Sequence, residues 1–150
     1  KSLRETLRRA AREGVEVVQG GGDLDRMKAV EARSWKGRAC EGLLHPEMEP
    51  FYRELFARLS ARGALRVLFA RRAGEDVAYI AGGVRGALYR GLQFSFDARL
   101  RRLSLGNLLQ HAQIEALARE GIETYDLGME LPYKRRWGEE RFVTVTVAAR

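Results

Sequence analysis

Leu92-Gln93-Phe94-Ser95-Phe96-Asp97, then Arg99-Leu100-Arg101-Arg102, then Ser104-Leu105-Gly106-Asn107 is the stretch that decides how this chain is read. A largely apolar run ends, a basic polar loop turns, and a helix begins. The first N–H groups of a helix have no partner inside it, and with the helix dipole they attract anions. Gly106 lets the backbone approach closely, and Arg101 and Arg102 add fixed positive charge. Arg101, Arg102, Ser104, Leu105, Gly106 and Asn107 therefore form a candidate pyrophosphate cradle. By the short spacing alone, an ordinary capped helix beside a solvated arginine loop is the better reading.

Downstream, Leu105, Leu108, Leu109, Ala112, Ala116 and Leu117 make the apolar face of the longest predicted helix, capped by Ser104 or a neighbour and stopped by Gly121. A strand is expected over 122–127, an irregular segment or short helix around Pro132, and a last strand over 142–149. Upstream, apolar runs at 64–70, 77–84 and 88–96 are joined by short turns at Gly74-Glu75-Asp76 and Arg85-Gly86, which predicts an antiparallel meander. Before the meander come a helix ending at Gly14, a strand over 15–18 and a helix capped by Asp23. A loop over 36–45 follows, then a helix opened by Pro46. A strand that follows a long helix reaches its neighbour by a crossover, so the sheet is expected to be antiparallel first and parallel across that helix. The fold class is α/β (α+β), a mixed, mostly antiparallel central sheet flanked by helices.

The 150 residues suit one domain. With 45% hydrophobic and 31% charged residues, wholesale disorder is excluded. Cys40 is the single cysteine, which excludes an intrachain disulfide and a multi-cysteine zinc site, and His45 and His111 stand isolated, so no metal is expected. No apolar run approaches the ~20 residues of a membrane span, and a cytoplasmic protein is expected. The formal charge is +7, but the arginines are scattered over every element and read mostly as a solvated basic surface. The clusters at 99–102 and 134–136 suit a phosphate-bearing ligand at least as well as a polynucleotide.

Arg101-Arg102-Leu103-Ser104-Leu105-Gly106 resembles the Arg/Gln-x-x-Gly-x-Gly/Ala motif of the GNAT acyltransferase superfamily at the Arg and the second Gly, with Ser104 in place of the first Gly. In that superfamily the motif's amides hold the coenzyme A pyrophosphate. Further stretches carry a narrower resemblance: Arg33-Ser34-Trp35-Lys36-Gly37, Phe51-Tyr52-Arg53-Glu54-Leu55, Tyr125-Asp126-Leu127-Gly128 and Tyr133-Lys134-Arg135-Arg136-Trp137. They look like the CelD-type, BioF-associated acetyltransferase branch, which is similar to the Fem-type aminoacyl transferases. The resemblance implies a single GNAT-like domain over 1–150, the C-terminal half of a longer two-half protein, with 1–13 as the linking helix.

It also implies direct transfer of an acyl group from acetyl-CoA or another acyl-CoA to an amine. That fits a sequence without a Ser–His–Asp or Cys–His nucleophile system. Tyr133 is the candidate proton donor to the departing thiolate, with packing beside Trp137 as its alternative. Asp97 and Glu130 are candidate bases, with a turn or cap the better reading of Asp97. Trp35, Lys36, Gln93, Asp126 and Lys134 are candidate substrate contacts, with Trp35 also expected to anchor the core. The acceptor is expected to be a small-molecule amine or a peptidoglycan or polysaccharide precursor, and a preceding half or a homodimer is a candidate partner. Two alternatives remain: a Fem-like transferase using aminoacyl-tRNA, and a non-catalytic half that binds a partner or nucleic acid.

Overall fold

The computed structural model describes residues 2–129, 131–143, 145 and 147, and leaves the Tyr133 side chain undescribed. Helix α1 (Leu3–Arg12) opens with a capping box, Ser2 accepting from the Glu5 N–H while Glu5 reaches back to the Ser2 N–H. Strand β1 (Val15–Gly20) follows, then α2 (Leu24–Ala32), whose Asp23 cap accepts from the Arg26 N–H. Next come a short helix α3 (Trp35–Ala39), a 3₁₀ turn (Gly42–Leu44) and α4 (Met48–Ala61). The meander is β2 (Leu65–Arg72), β3 (Glu75–Arg85) and β4 (Leu88–Phe96). A 3₁₀ segment (Ala98–Leu103) leads into α5 (Leu105–Arg119), then β5 (Thr124–Asp126) and a last 3₁₀ turn (Pro132–Arg136).

The sheet runs in the order β1-β2-β3-β4-β5, antiparallel except for the parallel β4–β5 pair. Period-two alternation separates its faces. On one face Leu68, Ala70, Ala78, Ile80, Phe94 and Phe96 pack with Leu7 and Ala10 of α1 and Leu105, Leu108 and Leu109 of α5. On the other, Val67, Phe69, Tyr79 and Ala81 pack with Met27 and Val30 of α2 and Phe56 of α4. The mixed sheet and its crossover are as expected from the sequence.

Three expectations need correction. The segment 36–45 is not a plain loop: most of it folds into α3 and a 3₁₀ turn, because Gly37 lets α3 lie directly on the last carbonyls of α2. Ser104 does not cap α5 with its side chain; its backbone is left-handed, φ +55°, and its carbonyl instead accepts from the Asn107 and Leu108 N–H groups. The last strand expected over 142–149 is not seen among the described residues: Phe142, Val143, Val145 and Val147 are exposed and belong to no strand. Thr144, Thr146, Ala148 and Ala149 lie outside the described residues.

Candidate active site

β4 and β5 pair over three residues, Leu88 with Thr124, Tyr89 with Tyr125 and Arg90 with Asp126. β5 then ends, while β4 continues to Phe96 without a strand partner on that side among the described residues. A bulge marks the transition, since Gly82 pairs with Gly91 and Ala81 with Gln93, leaving Leu92 extra. Beyond it the Asp97 N–H donates to the Val77 carbonyl of β3. Alternation then turns the Phe94 N–H and C=O to the opposite, open edge. The two parallel strands are thus neighbours that part, with exposed backbone on one wall.

The N-terminus of α5 follows the same end of β4. Leu105 and Gly106 open the helix, so their N–H groups have no intrahelical acceptor. Gly106 has a packing reason as well: a Cβ there would stand 3.0 Å from the Phe94 ring, so glycine lets α5 sit against β4. Ser104 holds the left-handed conformation that glycine favours, consistent with its place at the motif's first glycine. Arg101 and Arg102 are exposed in the loop, and the Arg102 carbonyl accepts from Arg9 of α1 at 3.1 Å. The Asn107 N–H is used within the turn.

On the opposite face, Lys36 reaches from α3 to the open wall. Its Nζ donates to Gln93 Oε1 and to the Phe94 carbonyl, each at 2.9 Å. The side chain is only 17% exposed, and Glu31 lies 4.0 Å from the amine. Burial pushes the Lys36 ammonium below the usual lysine range, against the pull of Glu31 and Glu41. Glu31 is fully buried and accepts from the Tyr79 hydroxyl and from the Leu43 N–H at 2.7 Å. Burial, followed by the charge of Glu31, holds the Tyr79 hydroxyl well above its usual range. Trp35, expected in the core, is 58% exposed beside Lys36, as the first residue of α3 after the buried Ser34 cap.

At the β5 side, Asp126 accepts from Arg90 at 2.5 Å and from the Gly128 N–H at 2.8 Å. Burial works to raise its carboxyl, but these donors outweigh it and leave it below the usual range. The Lys134 Nζ donates to the Leu127 and Met129 carbonyls at 2.7 and 3.0 Å. Burial first, then the charges of Arg90 and Lys36, lowers its ammonium, so these three cations share one electrostatic neighbourhood.

Asp97 is buried, and its carboxylate accepts from the Arg99 backbone N–H, the Arg99 guanidinium and Arg33 Nε. Arg99 chiefly, together with Arg33, holds the carboxyl below its usual range although burial opposes it. The geometry is that of an N-cap to the 3₁₀ segment and leaves little lone-pair capacity for a base. Glu130 and the Tyr133 side chain lie outside the described residues. The sequence reading missed Glu31, Tyr79 and Arg33. A charged residue four positions after Met27, on the buried face of α2, was the available signal for Glu31. Among the described residues, no group of three or more His, Cys, Asp or Glu could hold a metal ion, and no helix is long and apolar enough to cross a membrane.

A mixed sheet open between its two parallel strands, with a long helix starting at the mouth, is an acyltransferase architecture. The family model for the acetyltransferase (GNAT) domain matches residues 1–135, and the chain belongs to that family. No curated protein matches. Among solved structures, a GNAT family acetyltransferase from Brucella melitensis in complex with acetyl-CoA is 19% identical at a TM-score of 0.65, over 84% of this chain and 82% of that one. An aminoglycoside acetyltransferase, meta-AAC0020, from an uncultured soil metagenomic sample in complex with sisomicin is 13% identical at 0.63, over 93% and 99%. The PaiA N-acetyltransferase of Thermoplasma acidophilum in complex with coenzyme A is 16% identical at 0.55, over 72% and 74%. At these identities the likeness is one of fold.

Proposed function

We propose that this domain is an acyl-CoA-dependent N-acetyltransferase of the CelD-type branch, working on cytoplasmic substrates. The observation that carries the reading is the parting of β4 from β5 after Arg90 and Asp126, with the unpaired N–H groups of α5 at the same end of β4. Bound acetyl-CoA supplies an activated thioester. The Leu105 and Gly106 N–H groups and the positive end of α5 hold its pyrophosphate, and Arg101 and Arg102 add charge from the exposed loop. The open edge of β4 beyond the bulge offers backbone groups to an extended arm lying between the strands.

The acceptor amine enters from the α2–α3 side, past Trp35, Lys36 and Gln93 on one wall and Asp126 and Lys134 on the other. Lys36, Arg90 and Lys134 put cationic donors at this mouth, the first two balanced by Glu31 and Asp126, and such donors suit an acceptor carrying an anionic group beside its amine: a small molecule, or a phosphorylated precursor of peptidoglycan or polysaccharide. Tyr133 supplies the proton to the departing thiolate, and Glu130 is the base candidate left by the chain. Asp97 acts as a positioning residue that fixes the start of the cofactor loop through Arg99 and Arg33. Calorimetry with acetyl-CoA tests the reading, together with thiol release in the presence of amines bearing phosphate or carboxylate groups. An absence of saturable acetyl-CoA binding would overturn it.

A further inference from the structure

Lys36 places a primary amine inside the cleft of a domain that acylates amines. Its Nζ rests on the Phe94 carbonyl, on the β4 edge from which β5 has departed, and on Gln93. That edge is the wall along which a thioester would lie. α3 is built to bring the amine there: Gly37 packs on the Ala32 and Glu31 carbonyls, and the Ser34 hydroxyl accepts from the Lys36 N–H at 3.1 Å. Behind the amine stands a buried carboxylate, Glu31, oriented by Tyr79 and by the Leu43 N–H. Gly42 has no room for a side chain because a Cβ would collide with Glu31 Oε1, so the backbone is closed around this carboxylate.

A buried ammonium is ordinarily paired with a carboxylate, so Glu31 alone would mark only a buried ion pair; what a tie between α3 and β4 does not require is an amine on the edge of β4 that β5 has left. Nucleophile, base and thioester wall stand here in the order that amine acylation requires. We propose that Lys36 is itself an acceptor: without a competing amine, its Nζ takes one acetyl group from the acyl-CoA bound in the cleft. This rests on the function proposed above. The ammonium first gives a proton to Glu31. The free Nζ pair attacks the thioester carbonyl, the N–C bond forms and the C–S bond breaks. The thiolate leaves with the electron pair and takes up the second proton lost from nitrogen. The products are an acetamide at Lys36 and free coenzyme A. The acetamide cannot form the ion pair with Glu31 and fills space beside β4, so the modification is limited to one group and competes with acylation of a diffusing acceptor.

The chain has four lysines, Lys1, Lys28, Lys36 and Lys134, which makes the site easy to assign. The experiment incubates the folded protein with isotopically labelled acetyl-CoA and no added amine, and follows intact mass and peptide maps over time. One acetyl group is expected, on Lys36, added on the order of 10²-fold faster than on Lys28, whose amine pairs with Glu49 outside the cleft. Lys36→Arg should abolish it, Lys28→Arg should leave it intact, and Glu31→Gln should slow it at unchanged acetyl-CoA affinity. Label on Lys134 in preference to Lys36, or equal slow labelling of all four lysines, would overturn the proposal. Calorimetry on the same samples separates the two layers. Saturable acetyl-CoA binding without Lys36 acetylation overturns self-acetylation alone, whereas no binding overturns the proposed function with it.

Discussion

Gly37→Ala sets two physical effects against each other with opposite signs. Gly37 lies in the middle of α3 and its φ is not in the left-handed region, so alanine can adopt its backbone. Helix propensity alone would make the substitution stabilising by about 1 kcal/mol. The structure forbids that gain. A Cβ at Gly37 would stand 2.5 Å from the Ala32 carbonyl oxygen, 2.7 Å from that of Glu31 and 2.8 Å from the Ala32 carbonyl carbon. These contacts are roughly 1 Å inside the ~3.5 Å at which nonbonded heavy atoms rest. All of them are backbone, so no side chain can swing away and α3 must lift off α2. Overpacking of this kind costs about 1–3 kcal/mol. Lifting α3 also withdraws Lys36 from Gln93 and Phe94, which adds about 1 kcal/mol for each hydrogen bond lost. The expected net loss is about 2–4 kcal/mol, read as a lower urea midpoint at unchanged slope. Acetyl-CoA affinity should change little, because the α5 loop packs on the other face of the sheet. Stability raised by about 1 kcal/mol would show that propensity governs the site and that the α2–α3 contact does not position Lys36.

Arg101→Ala with Arg102→Ala should weaken acetyl-CoA binding ~10–100-fold by calorimetry, below what two buried charge-assisted contacts would give, because both side chains are exposed and screened. The control of equal charge is Arg58→Ala in α4 with Arg62→Ala at its C-cap; equal losses from both pairs would leave only a general basic field. Asp97→Asn should destabilise the fold at neutral pH and alter the cofactor loop. The wild-type carboxyl is held below its unfolded value of about 3.9, so its contribution is present above that pH and is lost as pH falls through the folded pKa. The gap between wild type and Asp97→Asn in urea midpoint should therefore narrow on acidification below about pH 4, and a gap that widens would contradict the assignment. Tyr133→Phe should lower kcat and kcat/KM together by ~10²-fold at unchanged acetyl-CoA affinity, with near-normal turnover counting against a proton donor.

The sequence made the sheet legible because its signals are local and redundant. Val67 and Phe69 alternate with Leu68 and Ala70, three apolar runs are separated by two-to-three-residue turns, and a strand after a long helix leaves a parallel neighbour as the economical arrangement. The junction at which the pyrophosphate site is proposed was legible for the same reason, since strand, basic loop and helix start follow within sixteen consecutive residues. α3 was not. Five residues with a glycine at the centre carry no helical period, and what fixes them is contact with the end of α2. Trp35 was misplaced by that omission: tryptophan by default belongs to a core, but a helix begun by Ser34 turns it outward.

The wall of the cleft that carries Lys36 was illegible for a deeper reason. Lys36 reads from the sequence only as a candidate substrate contact, while its partners lie at 31, 93 and 94 and Glu31 is in turn held by Tyr79, so three elements meet that no local pattern connects. Asp97 shows the converse. A carboxylate at a strand end with an arginine two residues on reads first as a turn or cap and second as a base, and the structure shows the cap. The choice turns on how many donors it already has, and Arg33, 64 residues away in sequence, supplies one of them. The same long-range closure ties the acceptor side to the cofactor side. Arg33 starts the turn into Ser34 and α3, and its guanidinium also grips Asp97, which begins the 3₁₀ segment leading to α5, while its carbonyl accepts from the Ala98 N–H. One arginine therefore sets the spacing between the amine at Lys36 and the helix start at Leu105. Moving it should disturb both halves of the cleft at once.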